Sequence, residues 1–357
     1  MTIDAVARRL RSQKLVLTKC RKPAQVVSWL GAVQAQDYAG AKWALGLRAT
    51  GLDDQSIDRA FNDGSILRTH MMRPTWHFVA PADIRWIQRL TGPRVNALNG
   101  LYYRNGGLDT QTMRRGVRVL ERSLRDLNYL TRDALASALA ESGPPLLGQS
   151  LAYLMMYAEL EGAVCSGPRI GKQFTYALLE ERVAASSSIP RDEARAELVR
   201  RYFTSHGPAT FKDFAWWSGL TARDAKEGVA MNGARLEHEI VDGLTYWFGP
   251  DRAATLPLSP AVFLLPNYDE FAIAYRDRVL LRAVHRPKSI AASDEFAHLL
   301  VVDDEITGRW RRDVTTRSIV VHVQPFRPLT RVEKRAIEVE VDRYGAFMGL
   351  AATAAIQ

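Results

Sequence analysis

Residues 221–248 read TARDAKEGVAMNGARLEHEIVDGLTYWF. Thr221 offers its hydroxyl as the cap of a helix over TARDAKEGVAMN, because the first backbone N–H groups of a helix lack partners within it. Two strand-like runs follow, ARLEHEIV and LTYWFG, separated by Asp242-Gly243. That dipeptide tolerates the positive φ of a tight hairpin turn. Upstream lie two further helical stretches, RDEARAELVRRYFTSH and ATFKDFAWWSGL, with a turn at Gly207-Pro208. Three helices followed by a two-stranded wing describe a winged helix, in which one helix can enter the major groove and the wing can meet the backbone or minor groove.

The same grammar occurs twice more toward the N-terminus, with little identity between copies. In the second copy Thr131 caps TRDALASALAES, Pro144 and Pro145 break the chain, and LGQSLAYLMMYAELEG precedes a hairpin through AVCSGPRIGKQFTYAL. In the first, PAQVVSWLGAVQAQ and AKWALGLR read as helices, residues 53–62 form another, and ILRTHMMRPTWHFVA folds into a hairpin turning near residues 72–74. Beyond residue 256 the pattern becomes short strands: AVFLLPNYDEF, RVLLRAV, HLLVVDDEITGRWRR and SIVVHVQPF, closed by a helix capped by Thr330. This predicts a mostly helical α+β chain: winged-helix units over residues 1–100, 101–185 and 186–254, then a β-barrel-like domain over 255–357. No Gly/Ser tract separates the copies, so they are expected to pack together, with SSSIP at 186–190 as a hinge.

A chain of 357 residues with 47% hydrophobic and 24% charged residues has the composition of an ordinary globular protein. Its start, MTIDAVARRLRSQK, lacks the apolar segment of a signal peptide, and no run approaches a membrane span, which predicts a cytoplasmic location without membrane association. Cys20 and Cys165 have no CxxC partner, and the seven histidines show no HExxH spacing, so neither a metal nor a cofactor is expected. GPRIGK at 167–172 is one residue short of a phosphate loop and reads as the turn of the second wing; neither GxSxG nor GxGxxG occurs. The net charge of +9 is concentrated at one end. Residues 1–100 carry 15 Lys and Arg against 7 Asp and Glu, whereas residues 181–250 carry 9 against 10. Such a local excess favours a polyanionic partner.

Three segments carry candidate chemistry. Arg68, His70 and Arg73 lie on the first hairpin among apolar and aromatic neighbours, which suits backbone or minor-groove contact; the bland alternative is solvated arginines over a core containing Trp76 and Phe78. GRWRR at 308–312 sets Trp310 beside Arg311 and Arg312, and could stack on or wedge against a base. Gln34-Ala35-Gln36-Asp37 places two amides two residues apart. On a regular helix these diverge, so they converge on one ligand only at a helix end or an irregular turn. Periodicity alone reads them as solvent-exposed amides at a helix end.

VQAQD, RTHMMRPTWHFVAPADIRW, LLPNYDEFAIAYRDR and VVDDEITGRWRR, in that order over residues 24–348, resemble the AlkZ/YcaQ family of bacterial winged-helix DNA glycosylases. The resemblance implies three tandem winged helices and a β-barrel arranged as a C-shaped clamp on DNA. It also implies a catalytic Gln-apolar-Gln or Gln-apolar-Asp triplet, falling here on Gln34, Ala35 and Gln36. Glutamine at position 36 is similar to the AlkZ branch, associated with actinomycete self-resistance to DNA-alkylating natural products and unhooking of interstrand crosslinks; the YcaQ branch has Asp there. The implied partner is double-stranded DNA carrying alkylated guanine, engaged by a monomer at the nucleoid. With no lysine suited to a Schiff base, simple hydrolysis to an abasic site is expected. The alternatives are a non-enzymatic winged-helix regulator and an interaction scaffold, which leaves the N-terminal charge unexplained.

Overall fold

Gly31, at φ +82°, ends an eight-residue apolar helix, Pro23–Leu30, and leads the chain into a short strand. The computed structural model describes residues 5–146, 148–185, 188–250, 260–276 and 298–357. The first unit comprises α1 (Ala5–Ser12), α2 (Pro23–Leu30), β1 (Val33–Gln34), α3 (Tyr38–Leu47), α4 (Asp54–Asn62), β2 (Leu67–Met71) and β3 (Thr75–Val79). The expected helix through PAQVVSWLGAVQAQ therefore stops at Leu30, because a positive φ opposes helix continuation. Asp53 caps α4 through the Ser56 N–H, and Met72 takes φ +56° in the turn between β2 and β3.

A 25-residue helix, α5 (Pro81–Asn105), then leads to α6 (Thr110–Leu124). Pro81 occupies its first turn, where no N–H is needed. Neither helix stood out in the sequence pattern, since Pro93 interrupts α5 internally. The second unit continues with β4 (Leu130–Thr131), α7 (Arg132–Glu141), α8 (Gly148–Leu160), β5 (Val164–Ser166), β6 (Thr175–Leu178) and α9 (Leu179–Arg182). The third has α10 (Arg191–His206), α11 (Phe211–Ser218), α12 (Ala222–Asn232), β7 (Glu237–Val241) and β8 (Leu244–Phe248). Thr131, Thr210 and Thr221 cap α7, α11 and α12.

The C-terminal region holds β9 (Val262–Leu265), α13 (Glu270–Ile273), β10 (Leu299–Val302), β11 (Glu305–Val314), β12 (Ser318–Pro325), α14 (Arg331–Met348) and β13 (Ala351–Ile356). Its five strands run in the order β13-β12-β11-β10-β9, and β12 and β13 pair in parallel while their neighbours are antiparallel. The final strand was not anticipated: after Gly349, at φ +68°, the chain reverses from α14 and adds an edge to the sheet. The sequence-predicted strand RVLLRAV, and Ser186 and Ser187 of the expected hinge, lie outside the described residues.

The chain is α+β and about half helical. Its apolar interior divides in two. One cluster is confined to residues 95–178; the other is shared by the first unit, the third unit and the C-terminal sheet, with Cys165, Leu179 and Val183 of the second unit joining it. Trp43 of α3, Tyr344 of α14 and Trp310 of β11 stack edge-on at 5.0 and 5.4 Å between ring centres, so the first unit and the sheet are held by aromatic packing rather than by a linker. Among the described residues no helix is long and apolar enough to cross a membrane.

Candidate active site

The two glutamines lie between α2 and α3, Gln34 at the end of β1 and Gln36 in the bend that precedes α3. β1 pairs antiparallel with β3, setting Gln34 opposite His77. The backbone of Ala35 is held on both sides: its N–H donates to the Trp76 carbonyl at 2.7 Å, and its carbonyl accepts from Arg68 Nε at 3.0 Å. Asp37 then caps α3, accepting from the Gly40 N–H at 3.2 Å. Gln34 is buried and Gln36 is exposed.

Behind Gln34 lies a carboxylate from far along the chain. Glu270 Oε1 accepts the Gln34 backbone N–H at 2.8 Å, and its Oε2 accepts Trp217 Nε1 at 3.0 Å and lies 3.5 Å from His206 Nε2. Glu270 is wholly buried. Burial opposes its ionisation, but His206, the Arg73 guanidinium and the Gln34 N–H outweigh it and bring the carboxyl well below its ordinary range. Burial also lowers His206, against the opposing pull of Glu270. His77 is pushed down to about 3, first by burial and then by Arg73, and is neutral. The preceding residue anchors the turn: Asp269 accepts from Arg48 Nη1 at 2.8 Å and Nη2 at 2.7 Å, a paired contact in which both side chains are buried.

Arg73 Nη2 donates to Gln34 Oε1 at 2.9 Å, and Nη1 reaches the Ile273 carbonyl at 3.4 Å. The same carbonyl accepts Trp216 Nε1 at 2.9 Å, and the guanidinium lies 5.9 Å from the Trp216 ring centre. The turn bearing Arg73 is locked against α11, whose C-terminal residue is followed by Gly219 at φ +71°. A β-carbon there would come within 2.0 Å of the Met72 carbonyl oxygen, so only glycine permits this approach.

The residues expected to face DNA divide. Arg68 is half-buried between Trp76 and Phe174, at 4.5 and 4.7 Å from their ring centres. His70 points into the protein: it is buried, hydrogen-bonds through Nδ1 to Glu159 of α8, and lies tilted against Trp76 with ring centres 4.2 Å apart. Trp310 is only 3% exposed and donates through Nε1 to the Leu265 carbonyl at 2.8 Å. It is a core residue, and neither ring face is open to a base, because apolar burial of an indole outweighs its exposure on a strand. Arg312 lies 3.1 Å from His298 Nε2 and 5.7 Å from the Tyr344 ring centre, whereas Arg311 is exposed beside Asp313 at 3.3 Å. Sequence reading missed Glu270, Asp269 and Trp216. The signal was present as two acids in the apolar run LLPNYDEF and a Trp pair in AWWSGL: buried acids are rare unless paired.

A family described as DNA glycosylase AlkZ-like matches residues 27–347. The chain belongs to the AlkZ-like DNA glycosylase family. This glycosylase is 26% identical over 350 residues to a Streptomyces sahachiroi protein named interstrand DNA cross-link repair glycosylase, with 92% of each chain covered. Its fold is that of the solved Streptomyces sahachiroi DNA glycosylase AlkZ, at a TM-score of 0.82 and 24% identity over 99% of this chain and 98% of the other.

Proposed function

We propose that this glycosylase hydrolyses the N-glycosidic bond of bulky N7-alkylguanine adducts, or unhooks interstrand crosslinks made through that atom, with Gln34 and Gln36 at the reaction centre. The observation that carries the proposal is the Gln-Ala-Gln stretch itself: an irregular turn out of β1, fixed at Ala35 and Glu270, with one amide in a buried polar network and the next at the surface. The name of the Streptomyces sahachiroi relative supports crosslinks as one substrate class.

Alkylation at N7 makes the guanine cationic, so its electrons return to the base as the C1′–N9 bond breaks and a neutral base departs. Water adds its oxygen to C1′, and its proton passes to solvent, leaving an abasic site. Such a leaving group needs little acid catalysis. The protein must instead fix a water and oppose the charge on the sugar, which immobile amide dipoles do without reorganising. Glutamine is not a general base at neutral pH, and positioning is therefore the role of the pair.

Each of the three helix-and-hairpin units is read as a winged helix, and together with the C-terminal sheet they form a C-shaped clamp, acting as a monomer on nucleoid DNA. A clamp holding the duplex from outside suits adducts too large for a snug base pocket. In an organism producing a DNA-alkylating compound the same activity would confer self-resistance. The test is incubation in chelator with duplex carrying nitrogen-mustard adducts at guanine N7. Free modified base and alkali-labile sites are expected without direct strand cleavage; binding without release would overturn the activity, and release only after metal is restored would overturn the metal-free mechanism.

A further inference from the structure

The orientation of the Gln34 amide follows from an asymmetry of hydrogen bonding. A guanidinium donates and cannot accept. The Gln34 atom 2.9 Å from Arg73 Nη2 is therefore the carbonyl oxygen, and the NH2 group points away from Arg73. The backbone that carries the side chain is itself anchored, the Gln34 N–H to Glu270 and Ala35 through both its N–H and its carbonyl. A cation against the oxygen polarises the amide and strengthens its N–H groups as donors. It also makes that oxygen a poor seat for positive charge developing on a sugar, since the two like charges would repel at short range. Gln36, by contrast, is exposed.

We propose that Arg73 and Glu270 are positioning residues that turn the Gln34 oxygen inward, so that Gln34 meets the bound nucleotide as an N–H donor and Gln36 alone supplies the acceptor that polarises the attacking water. This division of labour rests on the glycosylase reading above. It assigns Arg73 to the inner wall of the site, rather than to the phosphate backbone, and gives Glu270 the task of holding both the Gln34 strand and the charge of Arg73 in place.

Glutamate is the discriminating substitution, because it keeps an acceptor of the same shape and removes the NH2 donor. With duplex carrying nitrogen-mustard adducts at guanine N7 as probe, Gln34→Glu should lower single-turnover base release on the order of 10²-fold while its Kd for undamaged duplex stays within about twofold. Gln36→Glu should stay within about tenfold of the unmodified rate. The reverse ranking overturns the assignment. A second measurement needs neither catalysis nor a carboxylate beside Arg73: the side-chain NH2 resonance of Gln34 in 15N-glutamine-labelled protein, identified by its loss in Gln34→Ala. It should shift when adducted duplex is added, move toward the free-amide position in Arg73→Met, and recover in part in Arg73→Lys. A Gln34 resonance indifferent to both DNA and Arg73 overturns the proposal. If the unmodified enzyme releases no base, the substrate reading fails, and the resonance alone decides the orientation.

Discussion

Gln34 is 6% exposed at the end of β1, and Gln36 lies at the surface two residues on, in the bend before α3. If the two amides act on one nucleotide and one water, removing either already disorders the site. Gln34→Ala and Gln36→Ala should each reduce base release on the order of 10²-fold, and the double variant should lose less than the product of the two. Single-turnover kinetics with a parallel binding measurement checks this; two singly substituted enzymes working at the unmodified rate would make the motif a structural turn. His70 shows why residue type alone misplaces a side chain. A histidine in a basic hairpin looks DNA-facing, but Glu159, 89 positions on, claims its Nδ1 and its backbone N–H. Cys165 is buried, and its thiol is pushed up to about 12 by that burial, leaving little thiolate at neutral pH.

Among the elements, α14 carries a titratable group in an apolar setting. Its N-terminus is built by a capping box between Thr330 and Glu333, and its inner face packs on the sheet through Ile337, Val341 and Tyr344. Glu340 lies on that face, 6% exposed, with Arg343 Nη1 at 3.5 Å. Burial pushes its carboxyl up to about 7, against the pull of Arg343. A folded pKa above the unfolded value means a contribution to stability that is full below the unfolded pKa and is lost as pH rises through the folded one. Replacing the acid with its neutral isostere removes that loss. Glu340→Gln should therefore stabilise the protein at about pH 8 by up to about 3 kcal/mol, taking about 1.4 kcal/mol per pH unit, and change it little at about pH 5. Denaturant unfolding at both values checks the prediction, and an equal effect at the two would refute it. The short β1 strand is the converse case: two residues with no strand signature of their own, recruited by pairing with β3.

For the whole molecule, the basic excess of residues 1–100 is partly internal. Arg9 is buried over Tyr275 and donates to the Pro208 carbonyl, Arg48 is sealed against Asp269, and Lys42 is buried between Asp54 and Asp58. The two arginines hold the first unit against the third and the C-terminal region, and Lys42 ties α3 to α4. Fewer of these charges are therefore free to meet DNA than the segment count suggests, and Lys19, Arg21 and Lys22 are among those exposed. Affinity for undamaged duplex should fall steeply with salt, with log K losing about 0.9 per phosphate contact for each decade of salt. Neutralising Lys19, Arg21 and Lys22 together should flatten that slope more than neutralising Arg223, Lys226 and Arg235, which lie in a segment of balanced charge. Equal slopes from a salt titration of both variants would show that the footprint lies elsewhere.

The helix caps, the three hairpins and the change to strands beyond residue 256 were legible because each depends on neighbours within a few positions: Thr221 on Asp224, Asp242 on Gly243, Met72 on the two strands it joins. The sequence by itself thus determined the helix-and-hairpin order, and through its resemblance it singled out Gln34 and Gln36. Only the tertiary structure decided what surrounds them. Glu270 reaches Gln34 across 236 positions and Arg73 reaches it across 39, while Trp310 is buried against Tyr344 of α14 and bound to the Leu265 carbonyl. Capping and turn preferences act through the local backbone, whereas burial, pairing and the direction of an amide depend on which distant groups the folded chain brings within a few ångströms.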